Sequence, residues 1–177
     1  MQQLAEATQP VTSRPKASAQ PEFQWEPFGS VIKEALPMLQ GFWNETEPHG
    51  DVYPFDMDFD TYFELERKGM LAVYVARVEG TLIGAHWWMV TPNLRRRTVL
   101  HATSDCILLS PAWRNGWTGY KLLTGSEPGL KRIGVKIARV TVASKYNLDP
   151  LLKRAGYVPV GVQYEKILEW PDGRERK

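Results

Sequence analysis

The sequence lacks most of the features that mark secreted, disulfide-bonded or membrane-spanning proteins. Its 177 residues include one cysteine, Cys106, and three histidines. One cysteine excludes an internal disulfide and a cysteine-based zinc site, and we expect no metal because no histidine pair has ligand spacing. No apolar run of about 18 residues is present, so we expect no membrane span. The first residues also lack the apolar core of a secretory signal, and these absences together predict a cytoplasmic protein.

The charges of the chain are divided between an acidic and a basic part. Hydrophobic residues make up 43% of the chain, enough for a core, and the formal net charge is only +2. Residues 23–94, however, carry eleven acids and four bases, whereas residues 95–154 carry three acids and twelve bases. Such a division is typical of proteins that bind an anionic ligand near the basic part. The alternative is that the charges cluster by chance and mix in space after folding.

Composition and hydrophobic spacing divide the chain into three parts. Residues 1–22 are rich in Gln, Ala, Ser, Thr and Pro, which predicts a flexible tail. Residues 23–170 carry the periodic apolar patterns of one folded domain, and residues 171–177 form a polar C-terminal tail.

The domain is predicted to have the element order ααβββαβαβ. A strand, a helix and a further strand at 98–143 imply a parallel crossover, so the fold class is α/β with a mixed central sheet. The predicted elements are helices near 31–42 and 59–68, strands at 71–78, 81–90 and 98–109, an irregular helix at 118–133, a strand at 135–143, a helix at 148–154 and a last strand or strand pair at 158–168.

The stretch at 108–119 carries the clearest chemical signal. A buried strand ends at Pro111, and a short loop with Arg114 and Gly116 leads into a helix. The backbone N–H groups of such a loop, with the partial positive charge of the helix N-terminus, form an anion site suited to a pyrophosphate. Gly116 and Gly119 permit close approach of the backbone, and Arg114 adds charge and hydrogen bonds.

A second stretch, at 147–160, places an asparagine before a short helix that closes at Gly156. The two stretches resemble the two signatures of the GCN5-related N-acetyltransferases (GNAT), and the resemblance covers residues 23–170. The phage-encoded members look most similar, through Phe-Trp-Asn-Glu in the first helix, Asp105 on the fourth strand and the ending Leu-Leu-Lys-Arg-Ala-Gly-Tyr. The resemblance implies the GNAT fold, a splayed strand pair at the acyl-CoA site, and acetyl transfer from acetyl-CoA to an amine.

The resemblance also implies which residues form the site. Backbone N–H groups on the fourth strand face the thioester carbonyl, where charge develops during the reaction. Asp105 is the candidate general base, with a structural acid bonded to backbone or to an arginine as the alternative. Alternation along the strand is expected to place Asp105, Ile107 and Leu109 on one face. The residues expected to bind acetyl-CoA are Leu108, Leu109, Arg114, Asn115, Gly116, Trp117, Thr118, Gly119 and Asn147.

Two departures from the family pattern concern the loop and the general acid. Asn115 and Trp117 stand where the loop commonly carries glycine, and the Trp117 indole either crowds the phosphates or turns away into the core. Leu152 stands where many members have a tyrosine that protonates the departing thiolate. Tyr146, our catalytic candidate, or Tyr157 must then act from a neighbouring position, or water must serve.

The expected acceptor is an amine-bearing small molecule or protein, favoured as a cation by the acidic segment 45–60. The alternative function is a non-catalytic GNAT-fold protein of phage assembly or host interaction. A homodimer or an assembly partner is the expected protein contact. The arginines at 95–97 offer a third reading, a nucleic-acid binder, but a solvated tip between two strands explains them more simply.

Two other patterns have plainer explanations than a functional site. Asp56, Asp58 and Asp60 imitate the opening of a calcium loop, but the required glycine and final glutamate are absent. They are explained by a helix N-terminus. His86 and His101, on neighbouring strands, either line an acceptor pocket with a histidine as base or belong to packed aromatic strands.

Overall fold

The computed structural model describes residues 20–114, 116–143 and 147–168. Asn115, Tyr146, the predicted tail up to residue 19 and the polar segment 171–177 therefore lie outside the described residues. The described elements, in chain order, are β1 (Glu22–Glu26), α1 (Phe28–Thr46), α2 (Phe59–Arg67), β2 (Leu71–Val78), β3 (Thr81–Pro92), β4 (Leu100–Leu109), a 3₁₀ turn (Pro111–Trp113), α3 (Thr118–Gly125), α4 (Glu127–Arg132), β5 (Val135–Arg139) and α5 (Asp149–Arg154).

One mixed sheet organises these elements in the order β1-β2-β3-β4-β5. The first four strands are antiparallel to their neighbours, and β5 runs parallel to β4 after the crossover through α3 and α4. This arrangement confirms the predicted α/β class with a mixed central sheet. The crossover lies where the change from period-2 to helical spacing predicted it.

The structure adds a strand, β1, that the sequence analysis did not predict. Glu22–Glu26 pairs antiparallel with β2, and its Trp25 ring lies 5.0 Å from that of Tyr74. Glu26 also receives the Arg77 guanidinium, with 2.6 Å between Oε1 and Nε. The alternation in Glu-Phe-Gln-Trp-Glu was the available signal, but five residues between two prolines are too few for periodicity alone to identify a strand.

Helices α1 and α2 cover one face of the sheet. The buried residues of α1 recur at intervals of mostly three and four residues, as expected for a helix that packs one face on a sheet. Pro37 lies within the helix and does not end it. Asp58 caps α2 by accepting a hydrogen bond from the Thr61 N–H at 3.0 Å, which agrees with the explanation of these aspartates by a helix N-terminus. The buried residues of α1 are Phe28, Val31, Ile32, Ala35 and Leu39.

Helices α3 and α4 cover the opposite face, and two of their glycines lie close to aromatic side chains of the sheet. A Cβ on Gly125 would lie 2.7 Å from the Tyr74 hydroxyl, and one on Gly129 would collide with the Trp25 ring. The two glycines thus let this helical segment approach β1 and β2 closely. The predicted irregularity of the segment is confirmed, and Pro128 in the first turn of α4 cannot donate the backbone hydrogen bond that a continuous helix would need.

The C-terminal part differs from the prediction. β5 ends at Arg139, not at Ala143, and the structure shows no strand at 158–168, where one was predicted. Most side chains of that segment, Val160 and Tyr164 among them, are exposed. The apolar alternation of this segment is typical of a strand, but a strand also requires a neighbouring strand to pair with.

Candidate active site

Strands β4 and β5 separate at one end and leave a cleft between them. Their pairing covers only 100–103 of β4 and Val135–Arg139 of β5. β4 continues to Leu109, paired along its other edge with β3. The structure therefore contains the splayed strand pair that the resemblance implied, with its open side along 104–109.

Hydrogen bonding at the end of β4 determines which backbone N–H groups face this cleft. The Ser110 N–H donates to the Ile83 carbonyl of β3 at 2.8 Å. Because bonding alternates along an antiparallel pair, the N–H groups of Ile107 and Leu109 point toward the cleft and that of Leu108 points toward β3. Of the two residues expected to offer backbone donors, Leu109 has the required orientation. Ile107 is a donor that the sequence analysis missed.

β4 contains a β-bulge at Asp105. Cys106 pairs with Trp87 and Ser104 pairs with Trp88, so Asp105 is an extra residue on β4 with no partner of its own on β3. A bulge of this kind shifts the alternation of side chains along the strand. Its position could not be predicted, because the local sequence still reads as a continuous strand.

The bulge corrects the expectation that Asp105, Ile107 and Leu109 share one face. Leu108 belongs to the core beneath α1 and α2, whereas Ile107 packs against the cluster beneath α3 and α4. Asp105 also faces the side of α1 and α2, since it contacts α2. The Asp105 side chain therefore lies on the face covered by α1 and α2, the Ile107 side chain lies on the opposite face, and the N–H groups of Ile107 and Leu109 point from the strand edge between the two faces.

Asp105 is hydrogen-bonded to Tyr62, with 2.7 Å between the hydroxyl oxygen and Oδ2. The Tyr62 ring stacks on Phe28 at 5.3 Å between centroids and meets Trp87 edge-on at 5.6 Å. Burial raises the pKa of Asp105, and the hydrogen bond from Tyr62 opposes that rise. Burial and the Asp105 charge also raise the pKa of Tyr62, so the phenol stays protonated and donates. Tyr62 lies far from Asp105 in sequence, and no local pattern pointed to it.

The loop between β4 and α3 has the open backbone predicted for an anion site. Gly116 has a φ of +156°, a conformation that favours glycine. Trp117, the N-cap of α3, makes no side-chain hydrogen bond to the helix. The first-turn N–H groups, beginning at Thr118, are therefore not used by a capping side chain and carry a partial positive charge. A Cβ on Gly119 would lie 3.6 Å from the Leu109 side chain, so the helix start lies against the end of β4.

Arg114, expected to bind a phosphate, holds the loop against two elements. Its guanidinium forms a two-pronged ion pair with Glu45 of α1, at 2.8 and 3.2 Å, and its Nε donates to the Leu109 carbonyl at 2.9 Å. The pair is partly exposed, so its own contribution to stability is small. Its geometric effect is to join α1, the end of β4 and the loop. A phosphate contact by Arg114 stays a prediction.

Trp117 lies at the surface of the loop and not in the core, which removes one of its two predicted orientations. Its side chain is 54% exposed. The Arg154 guanidinium of α5 lies over its ring, 4.2 Å from the centroid, and Tyr120 meets it edge-on at 5.4 Å. Arg154 was missed by the sequence analysis, although α5 belongs to the second signature. The contact brings an additional positive charge beside the start of α3.

The structure also places the residues considered for the general acid. Leu152 packs into the apolar cluster beneath α3 and α4. Tyr157 packs against the same cluster, and burial, followed by the Glu127 charge, raises its pKa to about 12. Its buried hydroxyl has no hydrogen-bond partner among the described residues. Asn147 lies just before α5, whose N-cap is Leu148.

The two histidines of the sheet serve packing. His86 is fully buried, lies 4.0 Å from the Trp88 ring and has its Nε2 3.0 Å from the Ser104 hydroxyl. Burial lowers its pKa to about 3, so it is neutral at ordinary pH. His101 contacts the Asn93 side chain at 2.8 Å near the hairpin between β3 and β4. The reading of packed aromatic strands is thus supported for His86, and for His101 it stays a prediction.

Solved structures share this fold, whereas no protein-family model and no curated protein matches the chain. An aminoglycoside acetyltransferase from an uncultured soil metagenomic sample, solved with sisomicin, is 14% identical with a TM-score of 0.65, covering 84% of this chain and 97% of that one. A GNAT family acetyltransferase of Staphylococcus aureus is 16% identical with a TM-score of 0.56, covering 84% and 98%. A predicted acetyltransferase of Clostridium acetobutylicum, solved with acetyl-CoA, is 11% identical with a TM-score of 0.62, covering 84% and 97%. The chain therefore has the GNAT fold that its sequence indicated.

Proposed function

We propose that this protein transfers an acetyl group from acetyl-CoA to the amino group of a cationic acceptor. The observation that carries the proposal is the meeting of three features at the open end of β4. They are the cleft-facing N–H groups of Ile107 and Leu109, the uncapped start of α3, and the Asp105 carboxylate on the side of α1 and α2. Acetyl transfer needs donors for the carbonyl, an anion cradle and a base. The acetyltransferase neighbours support the same chemistry.

The residues around the loop fit acetyl-CoA, which supplies the acetyl group as a thioester. The first-turn N–H groups of α3 and the glycine backbone at Gly116 would hold the pyrophosphate. Arg154 would add a positive charge beside it, and Leu109 would donate to the thioester carbonyl. One such backbone donor contributes on the order of 3 kcal/mol to the transition state. Asn115 and Asn147 remain predicted contacts of the cofactor.

Asp105 is the proposed general base. Its pKa is raised by burial, which brings a carboxyl closer to the pH at which an enzyme works. The acceptor arrives as an ammonium; an N–H bond breaks, the proton passes to the carboxylate, and the electron pair stays on nitrogen. This pair forms the C–N bond to the acetyl carbon, the C–S bond of the thioester breaks, and the sulfur leaves with its electron pair and takes up the second proton that nitrogen loses. Because His86 is buried and neutral, it does not compete for this role. Tyr146 stays our candidate for the general acid.

The acceptor is proposed to be cationic because the segment between α1 and α2, the helices on the Asp105 side of the sheet, carries exposed acids. Asp51 and Asp56 are exposed in the segment between these helices, and neither forms an ion pair with a described residue. Net negative charge on such an edge raises the local concentration of a cation. An aminoglycoside acetyltransferase among the fold neighbours is consistent with an amine-bearing small molecule.

Two measurements test the proposal. Saturating acetyl-CoA should raise the melting temperature of the purified protein, because it binds the folded state; about 100 times its Kd stabilises by about 2.7 kcal/mol. Release of the CoA thiol should then be followed with a panel of mono- and polyamines. Asp105→Asn should keep the thermal shift and lose the thiol release. Absence of any thermal shift would overturn the proposal at its first step.

A non-catalytic role in phage assembly or host interaction is the second candidate, favoured by Leu152 at the usual tyrosine position and by Trp117 in the loop. It predicts a thermal shift without thiol release for any amine. A phage origin, a host-cytoplasmic location and a second copy or assembly partner stay predictions. None of the helices in the described ranges combines the length and apolar character needed to cross a bilayer.

A further inference from the structure

Resting on the proposed acetyl transfer, we propose that Tyr62 is a positioning residue that holds the Asp105 carboxylate with one oxygen free for the acceptor. Tyr62 donates its hydroxyl proton to Oδ2 of Asp105 at 2.7 Å. It does not touch the reacting atoms in this arrangement. Its effect is exerted through the orientation and proton affinity of Asp105.

Asp105 needs such a support because of the bulge. A regular strand residue is fixed by a partner on each neighbouring strand, but Asp105 has no partner of its own on β3 and lies beyond the paired part of β5. A short carboxylate at such a position has several rotamers available. A hydrogen bond from a rigid donor selects one of them.

Tyr62 is a rigid donor because the core fixes its ring. The ring stacks on Phe28, with an angle of 12° between the planes, and meets Trp87 edge-on. Both neighbours are fully buried, and they contact each other edge-on at 5.2 Å. The hydroxyl therefore stands at a position set by α1, α2 and β3 together, and not by a mobile loop.

The hydrogen bond from Tyr62 occupies only one of the two carboxylate oxygens of Asp105. Oδ2 accepts from Tyr62, and Oδ1 has no hydrogen-bond partner among residues 20–114, 116–143 and 147–168. Oδ1 is thus the oxygen left to accept an N–H from the acceptor ammonium. When the proton moves, the N–H bond breaks, an O–H bond forms on Oδ1, and the nitrogen keeps the electron pair. Tyr62 and Cys106 are the titratable groups that face Asp105 from α2 and β4.

The test is Tyr62→Phe, which keeps the ring in its stack and removes only the hydroxyl. We expect kcat to fall roughly tenfold, because a misplaced catalytic group loses the benefit of orientation. The acidic limb of the kcat/KM profile should move to higher pH by about half to one unit, because a bond that stabilises the carboxylate is lost. Combined with Asp105→Asn, the substitution should add little, since both act through one group.

Tyr74→Phe is the matched control. Tyr74 is also a buried tyrosine with a raised pKa, but it lies on the other face of the sheet near Gly125. It should leave both kcat and the pH profile unchanged. A Tyr62→Phe enzyme with an unmoved acidic limb and unchanged kcat would overturn the proposal.

A second readout is independent of the acceptor. Carbon-13 labelling of the aspartate carboxyls allows the Asp105 resonance to be assigned by its loss in Asp105→Asn and titrated with no substrate present. Tyr62→Phe should raise the pKa of Asp105 in this titration. If it does so but no amine is acetylated, the proposed function fails while the pairing stands; an unchanged pKa would refute the positioning role itself.

Discussion

Asp105 and His86, which lie on neighbouring strands, differ in whether they can exchange a proton with a bound molecule. Asp105 lies at a bulge, is only partly removed from solvent and has one oxygen without a hydrogen-bond partner among the described residues, so it can exchange a proton with an acceptor. His86, on β3, is fully buried against Trp88, and burial holds its pKa at about 3. A histidine attracts attention in a sequence because its usual pKa is near neutral. Only burial, which requires the fold, reveals that this one is not a base.

The buried neutral state of His86 predicts a loss of stability in acid. Its folded pKa lies below the unfolded value of about 6.5, so the unfolded chain binds more protons between these values. The free energy of unfolding should therefore fall as the pH drops below 6.5, by up to roughly 1.4 kcal/mol per pH unit from this group. Urea unfolding at pH 7.5, 5.5 and 4.5 measures it. His86→Gln should flatten the dependence; an equal slope in the variant and the unchanged protein would contradict the assignment.

Arg114 is predicted to affect cofactor binding by holding the loop. Its removal breaks the bonds to the Leu109 carbonyl and to Glu45, so the loop loses these ties to β4 and α1. Arg114→Ala should weaken acetyl-CoA binding about tenfold by calorimetry, since the backbone donors are no longer held in position. Arg67→Ala, which removes an exposed arginine of α2, is the control and should bind normally. Wild-type affinity in Arg114→Ala would remove this residue from the site.

At the scale of elements, aromatic side chains of the sheet determine where a packed helix needs glycine. The segment from α3 to α4 has glycine at two points where the aromatic side chains of β1 and β2 come too close for a Cβ. Gly41, within α1, has nothing within 4 Å of the position a Cβ would take. The two kinds of glycine look alike in sequence. They differ in what faces them.

This difference predicts opposite effects for the same substitution. Gly129→Ala should destabilise the protein by about 1–3 kcal/mol, because the added methyl group collides with the buried side of Trp25. Gly41→Ala should stabilise it by about 0.5–1 kcal/mol, because alanine loses less entropy in a helix. Thermal and urea unfolding of both variants provide the measurement. A stabilising Gly129→Ala would show that α4 does not pack on β1 as described.

Helices and strands could be predicted from the sequence where their apolar residues recur at a regular interval. The helical stripe of α1, the hairpin of β2 and β3 and the parallel crossover all follow from periodicity, and the two signatures pointed to the GNAT fold and its splayed strands. β1 was missed because five residues hold too little periodic signal. The bulge at Asp105 was missed because it is a register shift between two strands, and Tyr62 because it meets Asp105 only in the fold.

At the scale of the whole molecule, the acidic and basic parts of the sequence form different sets of helices and strands. The acidic part of the sequence forms α1, α2 and the strands beneath them, and the basic part includes β4, the loop, α3, α4, β5 and α5. The arginines at 95–97 and the start of α3 both belong to the basic part, yet they lie at opposite ends of β4. Ten residues of strand separate them by about 30 Å, several times the screening length at physiological salt. These charges belong to one basic stretch of the sequence but lie far apart in the folded protein.

This separation predicts that basic residues will contribute unequally to acetyl-CoA binding. Arg154→Gln should raise the Kd about three- to tenfold, with a smaller effect at high salt, because its guanidinium lies over Trp117 beside the helix start. The triple substitution Arg95→Gln, Arg96→Gln and Arg97→Gln removes more charge but should leave the Kd within about twofold. Salt screens the interaction between these arginines and the cofactor at that distance. Calorimetric titration at two salt concentrations compares the variants directly. If the triple variant binds more weakly than Arg154→Gln, overall charge and not the local site attracts the cofactor.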